Sequence, residues 1–311
     1  MSQQLRCDDG ETLAVSVFSP PPATRSPAVL VVNPAIGNRQ ERYWDTARYW
    51  AARGWRVVTY DYRGIGASAA LQRDVGRFRL ADWGRQDLTA VLRHVRQAWA
   101  PPATVVLAHS MGAQVVQFCA HPEWIDAAVF VAGQKGYWRH WDNAYRHPLQ
   151  AFWHVMPACV RLFGSFPLMR LAGCETLPRQ IALDWARWSR APGFVDEAGE
   201  ALAANGARLR CPLLSVSMGD DPLFGPKPAV DALLAWYPNA RAERLHLTPA
   251  TLGTVRIGHA GLFDADTGGR FWPGVLAWLD AKRTAQKIFD CPAHRVAQVA
   301  ATTASYVPNP V

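Results

Sequence analysis

The stretch Val105–Val116, VVLAHSMGAQVV, decides how this chain is read: an apolar run enters His109-Ser110-Met111-Gly112 and a helical pattern leaves it. Ala103 to Leu107 is rich in valine and follows Pro101 and Pro102, as expected of a short strand buried on both faces. Val115, Val116, Phe118 and Cys119 then fall on a helix that Pro122 cannot extend far. A serine on so sharp a strand-to-helix turn has its Oγ pushed clear of the sheet. The free amides and positive end of the new helix face developing negative charge. Ala108 stands where the GxSxG pattern usually has its first glycine, and its small side chain still lets strand and helix approach. The spacing predicts a nucleophile elbow, with acyl transfer through Ser110.

A serine hydroxyl needs a general base, and the base needs a carboxylate that fixes its tautomer and stabilises the imidazolium. On an elbow of this kind the acid follows the serine in the chain and the histidine follows the acid. Cys211 to Ser217 (CPLLSVS) reads as another buried strand and runs into Met218-Gly219-Asp220-Asp221-Pro222. Further on, Arg256-Ile257-Gly258-His259-Ala260-Gly261 sets a glycine-flanked histidine in a loop. The order Ser110, Asp221, His259 fits, with Asp220 as the alternative acid. His109, beside the nucleophile, is expected to point away from Ser110 Oγ, and His246 lies at a strand. Both read as structural.

These motifs resemble those of the α/β-hydrolases, in the lidded group that includes serine aminopeptidase-like and monoglyceride lipase-like enzymes. Tyr60-Asp61-Tyr62-Arg63-Gly64-Ile65-Gly66-Ala67-Ser68 is similar to the family's DxRGxGxS loop, and IGHAGLF around His259 resembles an IGHxGxF signature of an uncharacterised branch. The resemblance covers most of the chain. It implies an α/β-hydrolase fold, a mostly parallel central sheet flanked by helices with a helical lid insertion. It also implies an oxyanion hole of two backbone amides, one on Met111 and one just after an early strand. Here that strand, Ala28 to Val32, leads into Asn33-Pro34-Ala35-Ile36-Gly37, where the family more usually begins His-Gly. Pro34 has no amide hydrogen, so Ala35 is the expected donor and Ile36 the next choice. The glycines of DYRGIG lack the GxGxxG spacing and a lysine-serine pair, so phosphate binding is not expected. Asp61 and Arg63 read as groups that satisfy buried backbone.

With 311 residues the chain can bury a substantial core. Its net charge of +8 comes mainly from scattered arginines, Lys135, Lys227, Lys282 and Lys287 being the only lysines, and no nucleic-acid face is evident. Cys7, Cys119, Cys159, Cys174, Cys211 and Cys291 are widely spaced, without CxxC pairs or a histidine cluster. Neither a zinc site nor a disulfide framework is expected, and no cofactor is implied. The polar start MSQQLRCDDGETL lacks the apolar core of a signal peptide. Ala151 to Gly173, the longest apolar region, is interrupted by Pro157, Arg161, Gly164 and Pro167. A soluble, cytoplasmic protein without integral membrane association is the expectation; the sequence leaves its oligomeric state open.

Strand and helix patterns alternate along 1–132, as in a parallel sheet covered on both faces. From Gly133 to about Arg210 no strand is evident, and Pro148, Pro157, Pro167, Pro178 and Pro192 divide the segment into short helical pieces. Residues 133–210 are therefore expected as a helical lid, 211–285 as the second part of the core, and 286–311 as a C-terminal extension. In the lid, Trp138 and Trp141 fall at helical spacing with Tyr145, and Trp185 and Trp188 with Ile181. Most of this aromatic surface is expected to pack inward; the rest, with Ile36, lines a pocket for an apolar acyl substrate. The expected activity is a carboxylesterase- or lipase-like serine hydrolase acting on a small molecule. The alternatives are an acyltransferase with the same triad and a non-catalytic binding protein that retains the fold.

Overall fold

The computed structural model describes residues 2–24, 28–166 and 173–289. The chain forms two compact units, Met1–Gly268 and Gly269–Val311. The boundary falls within a helix, Ala265–Phe289. The extension expected over 286–311 continues that helix to Phe289 and beyond it lies outside the described residues.

Ten strands occur among the described residues: β1 (Ser2–Arg6), β2 (Thr12–Phe18), β3 (Val29–Asn33), β4 (Arg56–Tyr60), β5 (Thr104–His109), β6 (Ala127–Val131), β7 (Ser165–Phe166), β8 (Leu177–Pro178), β9 (Pro212–Met218) and β10 (Arg241–Leu247). Eight form one sheet in the order β1-β2-β4-β3-β5-β6-β9-β10. From β4 to β10 every pairing is parallel, while β1 and β2 add an antiparallel edge. The central strands β3, β5, β6 and β9 are buried along their whole length. Their near-continuous valine, leucine and alanine therefore face helices on both sides. β1 escapes the sequence reading because Ser2-Gln3-Gln4-Leu5-Arg6 is largely exposed and polar, and β2, largely apolar and buried over Leu13 to Ser16, is missed as well. This is the α/β-hydrolase sheet that the motifs imply.

The chain leaves β3 to one side for β4 and returns on the other for β5. In parallel sheets the crevice beyond the strand ends at such a reversal is where ligands bind. Asn33 closes β3 opposite Ala108 of β5, so the loop at Pro34 and the turn at Ser110 lie side by side at that crevice.

Residues 133–210 belong to the same unit as the sheet. They hold two helices, Arg146–Phe163 and Arg179–Arg190, whose Trp153 and Trp185 rings meet edge to face at 4.7 Å. Two expectations are corrected here. Pro157 sits inside an unbroken 18-residue helix instead of dividing it, and Pro148 occupies that helix's first turn, where the missing N–H has no acceptor to lose. The segment also contains strand: β7 pairs with β8, and Val195 bridges Ala201.

Candidate active site

Ser110 has φ 51° and ψ −115°, a conformation that a non-glycine residue holds only where surrounding structure imposes it. Its amide donates to Val131 O of β6 at 2.9 Å, and the helix Met111–Val115 starts at once behind it. Gly112 permits this. A Cβ there would stand 2.3 Å from Asn33 O and 2.7 Å from Pro34 O, so the elbow helix lies directly on the loop after β3. Asn33, where the family more usually has histidine, locks the same contact: its Nδ2 donates to Gly112 O at 2.6 Å, and Tyr60 Oη donates to its Oδ1.

Asp220 and Asp221, adjacent at the end of β9, have different partners. Asp221 Oδ2 lies 2.6 Å from His259 Nδ1, and Asp221 Oδ1 accepts the Phe224 amide at 3.2 Å. A carboxylate can only accept, so the imidazole carries its proton on Nδ1 and leaves Nε2 as the basic nitrogen. Asp220 Oδ2 instead accepts the amides of Ile257 and Gly258, at 2.8 and 2.9 Å, and so pins the loop that carries His259. The alternative acid thus has its own task.

Ser110, Met111, Ile36 and His259 line one cavity of about 410 Å³. Among the described residues Ser110 Oγ has no hydrogen-bond partner, so the serine and the imidazole share the cavity without a closed bond between them in this conformation. Such pairs commonly tighten only when substrate is bound.

The expected oxyanion donor Ala35 lines the cavity with Ser110, but its amide is engaged, donating to Tyr43 Oη at 2.8 Å. Ile36, the second choice, lines the cavity beside Met111, with its amide outside the turn's hydrogen bonds. Tyr43 Oη also lies 3.0 Å from His109 Nδ1, and His109 Nε2 lies 2.9 Å from His259 O. A backbone carbonyl accepts only, so His109 carries its proton on Nε2 and receives the tyrosine proton at Nδ1. The result is a buried chain from Ala35 N–H through Tyr43 and His109 to the His259 carbonyl, tying the oxyanion loop to the histidine loop. Burial, reinforced by His259 nearby, holds the His109 pKa well below its ordinary 6.5, so it stays neutral. Burial also raises the Tyr43 hydroxyl. Both ring nitrogens of His109 are thus engaged with Tyr43 and the His259 carbonyl, and His246 is engaged with Ser217 Oγ at 2.8 Å.

The DYRGIG loop is structural. Asp61 is buried, accepts the Gln40 and Ala67 amides at 2.7 and 2.9 Å, and is pushed up to about 6 by burial. Arg63 donates from Nε to Asp87 at 2.6 Å and from Nη1 to Asp9 at 2.6 Å.

The lid tryptophans divide. Trp185 lines the cavity at Ser110 and a second one, of about 380 Å³, that also includes Trp141. Trp188 and Trp138 line neither of these two cavities. Trp188 packs on Phe118 and Phe194, its Nε1 donating to Val195 O, and Trp138 lies under the guanidinium groups of Arg139 and Arg146. The sequence reading missed Phe224 and Gln134, which line both cavities. Phe224 stands three residues after Asp221, its ring 5.3 Å from that of His259. Gln134 follows β6 at the edge of the sheet where Ser110 sits, and that position was the available signal.

No group of three metal-ligating side chains occurs among the described residues, and no helix there is long and apolar enough to cross a membrane.

Residues 24–167 match the family described as serine aminopeptidase, S33. No curated protein matches the chain. Among solved structures it is similar to a highly thermostable carboxyl esterase from Bacillus coagulans, at 11% identity and TM-score 0.63 over 91% of this chain and 98% of that one. An esterase from Exiguobacterium antarcticum gives 12% identity and TM-score 0.56, covering 90% and 100%. Alpha/beta hydrolase domain-containing protein 10 from mouse gives 11% and 0.57, covering 90% and 99%. At these identities the likeness is one of fold.

Proposed function

We propose that this α/β-hydrolase-fold chain is a serine hydrolase, with a carboxylic ester of an apolar small molecule as substrate and Ser110, His259 and Asp221 as the catalytic triad. The observation that carries this reading is the 2.6 Å contact of His259 Nδ1 with the buried Asp221, on an imidazole that shares a cavity with Ser110. His259 Nε2 takes the proton as Ser110 Oγ attacks the ester carbonyl. Asp221 holds the imidazole in the required tautomer and stabilises its protonated form. The Met111 and Ile36 amides receive the oxyanion. His259 then protonates the leaving alcohol, and water, activated by the same imidazole, releases the acid from the acyl-enzyme. Each oxyanion-hole donor contributes on the order of 3 kcal/mol in enzymes of this design.

Apolar preference rests on Ile36, Trp185 and Phe224 around the nucleophile and on Trp141 beyond them. Residues 133–210 act as the lid that supplies Trp141 and Trp185 and excludes water from the acyl-enzyme. A reducing, cytoplasmic setting fits Cys7, Cys119 and Cys211, buried thiols outside any disulfide.

The test is a series of p-nitrophenyl esters of increasing acyl length. The reading expects kcat/KM to rise from acetate to medium or longer chains, and Ser110→Ala to remove turnover throughout. Fast hydrolysis confined to acetate contradicts the apolar pocket, and turnover that survives Ser110→Ala contradicts the triad.

A further inference from the structure

The second cavity, about 380 Å³, shares Gln134, Trp185 and Phe224 with the first, and among the described residues no charged side chain lines it. Most of its wall is apolar, from Leu149, Phe152 and Trp141. Two polar groups in that wall have no partner. Trp153 Nε1 and Ser189 Oγ are both buried without a hydrogen bond, on residues 6% and 1% exposed. They come from the two facing lid helices, Arg146–Phe163 and Arg179–Arg190. Ser189 Oγ stands 3.4 Å from where a Gly136 Cβ would be, and Gly136 belongs to the same wall. Buried polar groups are nearly always paired, and an apolar side chain of the same shape avoids the penalty of leaving one unpaired. Gln134 points the same way. Its Oε1 already accepts from Gln114 Nε2 at 2.6 Å, while its N–H pair has no hydrogen bond among the described residues.

An indole N–H is a donor only, a hydroxyl has a proton to give, and the Gln134 amide has two. The ligand group that completes this set is a hydrogen-bond acceptor. It is neutral, because an apolar sleeve with no lining cation among the described residues strongly disfavours a carboxylate. We propose that the second cavity is a specificity subsite for a substrate arm, aryl or alkyl, that carries a neutral oxygen acceptor of ether or carbonyl type, held by Trp153 Nε1 and Ser189 Oγ. The proposal deepens the esterase reading above and rests on it.

The experiment uses two sets of esters of matched length. In one an ether oxygen replaces successive methylenes of the acyl arm, and in the other of the alcohol arm. The readout is the ratio of kcat/KM for each ether to its methylene counterpart, in wild type, Trp153→Phe and Ser189→Ala, with folding followed by thermal unfolding. At one position in one set the ratio is expected to exceed that of either variant by about 5-fold or more, as the loss of one neutral hydrogen bond gives. A wild-type ratio flat along both sets, or a preference that survives both substitutions, overturns the proposal. Titration of Ser110→Ala with the same ether and methylene pair, followed by tryptophan fluorescence, reads the subsite without turnover. Selective binding there supports the subsite even if wild type hydrolyses neither set and the esterase reading fails, and equal binding of the pair refutes the subsite alone.

Discussion

Tyr43→Phe removes one oxygen from the centre of the molecule and leaves the ring, which packs edge to face on Phe263 at 4.8 Å. Its hydroxyl accepts from Ala35 N at 2.8 Å and from Asn38 Nδ2 at 3.3 Å, and faces His109 Nδ1 at 3.0 Å. The Ala35 amide and His109 Nδ1 are both buried and both lose their partner. At about 1–3 kcal/mol for each buried group left unsatisfied, the variant is expected to lose roughly 2–6 kcal/mol. In a domain of this size 1 kcal/mol corresponds to about 2–4 °C, so the melting temperature should fall by at least about 4 °C. Activity should fall as well, because the loop carrying Ile36 and the loop carrying His259 lose their shared brace. A displacement of about 1 Å in an active site costs on the order of 100-fold. Differential scanning calorimetry, with kcat on a p-nitrophenyl ester, reads both effects. A melting temperature within about 1 °C of wild type, with kcat unchanged, refutes the reasoning that the Tyr43–His109 chain holds the two loops.

Asp221→Asn should lower kcat by about 10⁴-fold with little change in KM, because an amide at that position favours the wrong imidazole tautomer, and steady-state kinetics on one ester measures it. A drop below about 10-fold would return the acid's role to Asp220. Gly112→Ala drives a methyl to within 2.3 Å of Asn33 O, so it should fail to give soluble folded protein or lose at least about 3 kcal/mol in urea unfolding. For His109 the sign follows from its depressed folded pKa: the unfolded chain binds the proton below pH 6.5 while the folded chain does not. Its contribution to stability is therefore fully present above pH 6.5 and declines as pH falls toward the folded pKa, by up to about 1.4 kcal/mol per pH unit. His109→Gln should flatten that acid limb by one proton in urea melts taken at several pH values, and an unchanged slope contradicts the neutral, buried assignment.

What the sequence shows follows the range of the interactions involved. The elbow is local: strand, turn and helix occupy twelve consecutive residues, so periodicity and the small residues around Ser110 reveal it without reference to the rest of the chain. β3 and β9 were legible for a related reason, since their apolar runs are bounded by turn residues. β1 was not, because an exposed edge strand carries little apolar signal. The choice between Asp220 and Asp221 depends on which carboxylate reaches a loop 38 residues away, and adjacent residues of one type are indistinguishable to any pattern. The Ala35 assignment failed for the same reason. Its amide is taken by a tyrosine that no motif links to it, and only the packing of His109 beneath that tyrosine reveals the connection. Trp185 and Trp188 stand one turn apart on a helix, yet the first lines the cavities and the second packs on Phe118, a distinction that spacing alone does not make.

The central claim is that Ser110 is a nucleophile activated by His259. Intact-mass and peptide-mapping mass spectrometry after treatment with a fluorophosphonate reads it directly. The account predicts one adduct per chain, carried by Ser110 and strongly slowed in His259→Ala. Properly folded wild type that gains no adduct, or gains it at another residue, contradicts the account.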